Sequence, residues 1–358
     1  MIKMNRLIAV ASAFAITLTM SGNSIARAAD LPTVRIEVGG LSKQIYIHAK
    51  LSEVLGNYKK YGVNVVLTDE PGGASAEDDM LAGSVDLVLG FYDHTIDLQT
   101  KGKATESVLQ LLQSPGEVEL CRMDLKGKIN SPADWKGGAS LGVTGFGSST
   151  NFLTLSLGKK AGVPVKDMHS YVAGAGNTFI AAMKNKAIDC GMTTEPTVST
   201  VLSQGIGYVL VDMRYGSLTR TALGGAYPAT CVYGRTDWIN AHKDVVQKVV
   251  DAMMDTAYFI DTHTAAQIAD KIPADYYAGP GKDLYIKALN DEKVMYNVTG
   301  RMPPGGPASV LKIDGFGKLA TGAWTAAQKA AVNLSATYTN SFALQAVIDI
   351  HKKKLLTK

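Results

Sequence analysis

Past the first thirty residues, the apolar positions switch repeatedly between a period of two and a period near four, and most switches fall at glycines. Residues 34–38 (VRIEV) alternate and predict a strand ending in Gly39-Gly40-Leu41-Ser42. The spacing predicts a helix over 43–58, stopped near Gly62, then a strand over 63–67 (VNVVL) that ends in Asp69-Glu70-Pro71-Gly72-Gly73. A short helix over 74–81 and a third strand over 85–89 follow. Strands alternating with helices imply an α/β fold with a parallel sheet and right-handed crossovers. In such sheets a ligand sits beyond the carboxyl ends of the strands.

The third strand runs into Gly90-Phe91-Tyr92-Asp93-His94, which places an aromatic pair, a carboxylate and an imidazole at one strand-to-helix junction. Asp93 is the expected cap of a helix over 94–101. An aromatic face with a few polar groups suits a small-ligand pocket, and the alternative is that Phe91 or Tyr92 is core. Residues 107–112 read as a fourth strand, Ser114-Pro115-Gly116 as a break, and 118–123 (VELCRM) as a short extended run.

The most ordered pattern is 139–162 (ASLGVTGFGSSTNFLTLSLGKKAG). A small apolar strand over 139–144 is broken by Gly145-Phe146-Gly147, and Ser148, Ser149 and Thr150 then offer helix caps in a row. Phe152, Leu153, Leu155 and Leu157 continue at helical spacing, and Gly162 closes the helix. The bare N–H groups and positive end of such a helix favour an anion. Further strands are expected over 168–172, 187–192 and 207–212. The first leads into a glycine-rich turn and a helix from Asn177, the second into Thr193-Thr194-Glu195-Pro196. Residues 227–233 (YPATCVY) read as a return segment, followed by helices over 242–261, 265–270, 282–290, 326–330 and 342–354, with 302–306 a loop.

Composition narrows the class. Residues 1–28 carry Lys3 and Arg6, then an apolar stretch too short to span a membrane, then Ala26-Arg27-Ala28, the pattern of a cleaved export signal. Removing them takes three positive charges from a formal +4 and leaves +1. A nearly neutral mature chain argues against nucleic acid as a partner. The six histidines show no metal-binding spacing, and there is no P-loop and no G-x-S-x-G elbow, so no metal or cofactor is expected.

Three strings then appear in a telling order: Pro132-Ala133-Asp134-Trp135-Lys136-Gly137, Gly147-Ser148-Ser149, and Thr194-Glu195-Pro196. Together with the export signal, this order resembles the substrate-binding proteins of ABC importers of the nitrate, sulfonate and taurine type, over about residues 32–344. Those proteins share a fold with thiamine-pyrimidine synthesis proteins. The resemblance implies a type II periplasmic binding protein of two α/β lobes, a sheet flanked by helices in each, with a ligand cleft between them. Lobe 1 is then 29–119 plus 232–358, and lobe 2 is 120–231. The expected ligand-binding residues are Gly40, Leu41, Ser42, Phe91, Tyr92, Asp93, His94, Gly147, Ser148, Ser149, Thr150, Asn177, Thr194, Glu195 and Tyr227. The resemblance also implies a monomer in the periplasm that delivers a small molecule to an inner-membrane ABC permease. The thiamine-pyrimidine relatives carry a cysteine cluster for iron, which the three scattered cysteines here do not form. That favours a binding protein over a secreted α/β enzyme.

The ligand class stays open at this point. Helix starts at Gly40, Ser148 and Asn177 favour an acid group, whereas Asp93 and Glu195 add carboxylates, so a small organic anion or zwitterion ranks first. An aromatic or pyrimidine-like compound stacked on Phe91 or Tyr92 ranks second. In a two-lobe protein the crossings run side by side, which makes Cys121 and Cys231 a candidate disulfide, with Cys190 a buried thiol. The alternative is three unpaired core cysteines.

Overall fold

Val34, Ile36 and Val38 are fully buried while Thr33 and Arg35 are exposed, so β1 (Thr33–Val38) forms where the alternation predicts. The computed structural model describes residues 31–356, with side chains of the last helix described to Lys353. The expected export signal lies outside the described residues. β2 (Asn64–Asp69), β3 (Leu87–Phe91), β4 (Thr105–Gln110), β5 (Glu117–Arg122) and β6 (Ala139–Val143) follow. β7 (Met168–Val172), β8 (Cys190–Thr194), β9 (Gly207–Asp212) and β10 (Thr230–Arg235) complete the strands described.

They form two five-stranded sheets of the same plan, ordered β2-β1-β3-β10-β4 and β7-β6-β8-β5-β9. β1 is parallel to β2 and β3, and β6 is parallel to β7 and β8. One strand in each sheet runs against its neighbours: β10 in the first, β5 in the second. Each is the fourth of its five strands, paired on both sides, and almost wholly buried. The chain passes between sheets twice, and the two passages hydrogen-bond to each other. Leu111 N–H donates to Thr230 O at 2.8 Å, and Ala229 N–H donates to Leu112 O at 3.2 Å. The described residues form one compact unit. None of their helices is long and apolar enough to cross a membrane.

Four expectations change. The single helix over 43–58 is broken: Gly56 adopts a left-handed φ of 72° between Ile47–Val54 and Asn57–Lys60. Asp93 is not a cap, because the cap position falls on Tyr92 and Asp93 opens the helix Asp93–Thr100. A helix over Gly306–Thr321 occupies a stretch whose pattern gave no periodic signal. Its glycines are contact points rather than breaks: a Cβ on Gly317 would lie 2.9 Å from Leu155 Cβ, on the helix Ser149–Lys160.

The fourth correction is the disulfide. Cys121 and Cys190 face each other in the β5–β8 register, with Cα atoms 3.9 Å apart, and they are bridged. Cys231 is a buried free thiol, raised by burial above its ordinary range. The expected Cys121–Cys231 pair fails because both residues lie past the crossings, Cys121 in the second sheet and Cys231 in the first.

Candidate functional site

Two helices begin where the sheets face each other. Gly73–Ala82 starts after β2 and the Glu70-Pro71-Gly72 turn, and Ser149–Lys160 starts after β6 and the Gly145-Phe146-Gly147 turn. Ala74 N–H of the first donates to Ser148 Oγ at the start of the second, at 3.4 Å. A cavity of about 20 Å³ lies beside this contact, lined by Gly39, Lys43, Tyr46, Glu117, Ser149 and Thr194 among others. That is room for about one water molecule. Through Lys43 and Thr144 it adjoins a wider opening of about 640 Å³, with Gly40, Ser42 and Asp69–Pro71 on one wall and Val172–Gly176 with Pro196 on the other.

Three hydroxyls stand at the start of the second helix, and none caps it. Ser148 Oγ accepts from Ala74, Ser149 Oγ donates to Asp93 Oδ1 at 2.9 Å, and Thr150 Oγ1 accepts from Thr144 N–H at 3.0 Å. The backbone remains free for a ligand. Asn151 and Phe152 N–H return to Ser148 O, while among the described residues Ser149 and Thr150 N–H have no partner. Gly147 holds a left-handed φ of 82°, which lets the turn close against Ala74.

Lys43 supplies the cation. Its Nζ donates to Gly39 O at 2.6 Å and Pro71 O at 3.1 Å, which leaves a third N–H. Burial lowers its pKa to about 8, against the pull of Glu117 and Asp69. Glu117 faces it across the cavity, 3% exposed and with an unpartnered Oε2. Burial and then the Asp93 charge hold Glu117 well above the usual carboxylate range, with Lys43 opposing.

A layer behind the cavity joins the sheets. Tyr227 hydroxyl lies 2.8 Å from both Asp93 Oδ2 and Asp314 Oδ1. A hydroxyl has one proton, so one carboxyl must supply the other. Asp314 is the carboxyl better suited to it, being fully buried and raised well above its usual range by burial and then Asp93. His94 Nδ1 sits 2.6 Å from Glu77 Oε2. Burial opposes the charge on His94, but Glu77 and Asp93 outweigh it and raise its pKa. Its Nε2 has no partner and presses on the helix start: a Cβ on Gly73 would lie 2.5 Å away.

The structure thus gathers Ser148, Ser149, Thr150 and Thr194 on the cavity, and Gly40 and Ser42 on the wider opening. Asp93, His94 and Tyr227 stand behind. Phe91 is core, edge-on to Tyr46 at 6.4 Å, and Tyr92 is core with its hydroxyl on Thr337. Leu41 N–H donates to Asp69 at 2.6 Å. Asn177 is exposed beside a separate depression, and Glu195 is paired with Arg214 at 3.0 Å and Ser199 at 2.9 Å. Sequence reasoning missed Lys43 and Glu117. Lys43 sat at an expected helix start next to Gly40-Leu41-Ser42, and that proximity was the available signal.

The NMT1-like family model matches residues 44–273, more than half of the chain. The chain belongs to the NMT1-like family. No curated protein sequence matches it. This NMT1-like chain is similar to a protein of Bordetella bronchiseptica RB50 at 28% identity and a TM-score of 0.82, over 90% of this chain and 98% of that one. It shares its fold with the periplasmic nitrate-binding protein NrtA of Synechocystis PCC 6803, at 14% identity and a TM-score of 0.70, over 89% of each chain. It also shares it with the alkanesulfonate-binding protein SsuA of Xanthomonas axonopodis pv. citri bound to MOPS, at 18% identity and a TM-score of 0.65, over 87% of this chain and 100% of that one. The NMT1-like fold here is the periplasmic-binding-protein fold that the motif order implied.

Proposed function

We propose that this protein is the periplasmic solute-binding component of an ABC importer and that it captures a small organic anion between its two sheets. In this reading 29–119 with 232–358 and 120–231 act as lobes, and they part about the paired crossings at 111–116 and 224–229. The observation that carries it is the juxtaposition at the cavity: the buried Lys43 ammonium with a free N–H, facing the unpartnered N–H groups of Ser149 and Thr150. Two helix starts and one ammonium make a site for an acid group. Burial raises the Glu117 pKa above its usual range, which weakens its repulsion of an anion. The fold shared with nitrate- and sulfonate-binding proteins and the expected leader over 1–28 support export and transport. Phe91 and Tyr92 are enclosed in the core, which leaves an aromatic ligand no platform there. No catalytic role is proposed for any residue, and the permease is the expected partner.

The test is native mass spectrometry of gently purified mature protein. A carried-over small anion in one-to-one ratio supports the reading. Turnover of that ligand, or a cationic ligand in its place, contradicts it.

A further inference from the structure

Away from the cavity, three carboxylates converge on one point of the first sheet. Glu37 of β1, Glu70 just past β2 and Asp79 of the helix Gly73–Ala82 each offer an oxygen, and these lie within 4.8 Å of one another. Chain geometry brings them together. Thr33 and Arg35 on the same face of β1 are exposed, but Glu37 lies where the Gly73–Ala82 helix covers the sheet. Glu70 is drawn over the strand end by its N–H bond to Val38 O at 3.0 Å.

Among the described residues no cationic side chain balances these charges. Glu37 is 4% exposed, and its Oε2 has no hydrogen-bond partner. Among the described residues, no lysine, arginine or histidine lies within ion-pair distance of Glu37, Glu70 or Asp79. A buried carboxylate with one unpartnered oxygen, facing two more carboxylates, is costly unless a proton or a cation sits between them.

We propose that Glu37, Glu70 and Asp79 bind a hard divalent cation, Ca²⁺ by preference. The donors are all carboxylate oxygens, which suit Ca²⁺, Mg²⁺ or Mn²⁺; with no nitrogen or sulfur ligand, Zn²⁺ is disfavoured. Oxygens ranged about 2.3–2.6 Å from one Ca²⁺ lie roughly 3–5 Å apart, which the cluster meets. Glu70 and Asp79 are half-buried, so water can complete the shell. The ion would brace the Glu70-Pro71-Gly72 turn. Pro71 O holds Lys43, and Gly73 opens the helix at the cavity, so the cation would stiffen that wall.

The experiment titrates chelator-treated mature protein with Ca²⁺, Mg²⁺ and Zn²⁺, followed by calorimetry and thermal melting. The expected result is one Ca²⁺ per chain with a Kd on the order of 0.1–1 mM, as in extracellular sites. Melting temperature should rise by a few degrees at about 10 mM Ca²⁺, and Mg²⁺ should bind more weakly. Glu70→Gln with Asp79→Asn, both at half-buried positions, should remove the response while leaving a cooperative melt. No heat and no shift at about 10 mM Ca²⁺ overturns the site. So does an equal shift in the double variant, or a response to Zn²⁺ alone. A Glu37→Gln protein that melts higher than wild type, in a wild type that ignores Ca²⁺, assigns the cluster a shared proton and overturns the cation.

Discussion

Ser149 Oγ donates to Asp93 Oδ1 at 2.9 Å and so ties the first turn of the Ser149–Lys160 helix, behind the second sheet, to the first turn of the Asp93–Thr100 helix, behind the first. Both side chains are buried. Ser149→Ala leaves the Asp93 oxygen with one donor fewer inside the protein, at a cost of about 1–3 kcal/mol. Urea unfolding of the ligand-free variant should show that loss at an unchanged m-value. A midpoint equal to wild type would mean the contact is not closed in solution.

Asp314 gives a pH signature. Its folded pKa is raised well above the ordinary 3.8. Below about pH 4 both folded and unfolded states hold its proton, and it leaves stability unchanged. Above that the unfolded chain ionises first, so stability falls as pH rises until the folded group ionises too. Asp314→Asn keeps a neutral, hydrogen-bonding group and removes this slope, which is at most about 1.4 kcal/mol per pH unit. Unfolding midpoints of wild type and variant, measured from pH 4 to 7, should converge at the acid end and separate in the variant's favour. Parallel curves would show that Asp314 is ionised.

Non-reducing peptide mapping should find Cys121 joined to Cys190 and Cys231 unmodified until the protein unfolds. The bridge spans 69 residues, for which the chain-entropy model gives about 4 kcal/mol. Replacing both bridged cysteines by alanine should lower stability by a comparable amount. A Cys121–Cys231 peptide would reverse the assignment.

The fold was legible because β1 and β2 end in glycine turns, Gly39-Gly40 and Gly72-Gly73, and strands alternate with helices along the chain. The helix Ser149–Lys160 was located by its hydroxyl run, Ser148 to Thr150, and by Gly162 just past its end. The helix Gly306–Thr321 was not, since Gly315 and Gly317 look like breakers until the neighbouring helix is known to need their space. Cys190 was misassigned because adjacency of β5 and β8 is a property of sheet order, which periodicity does not carry. Lys43, Glu117 and the Glu37–Glu70–Asp79 cluster share another reason. Each draws its character from burial beside residues far away in the chain, and no local motif marks them.

Lys43 also makes ligand affinity depend on pH. An anion binds best to its charged form, and burial places its pKa near 8 rather than 10.5 in the free protein. Below about pH 8 the ammonium is present and affinity is level. Above it, affinity for a sulfonate, whose own charge is constant, should fall by up to about tenfold per pH unit. Isothermal titration from pH 6 to 9.5 tests this, and a flat profile would remove Lys43 from the site.

The most direct measurement is calorimetric titration of wild type and Lys43→Met with nitrate, small alkanesulfonates, taurine and short carboxylates. At least one anion should bind wild type one to one. Loss of a charge-assisted hydrogen bond is worth about 1.5–3 kcal/mol, so the variant should bind that anion about 10–150-fold more weakly. Equal affinity in the variant, or wild-type binding of neutral and cationic solutes alone, would contradict capture of an anion between the two helix starts.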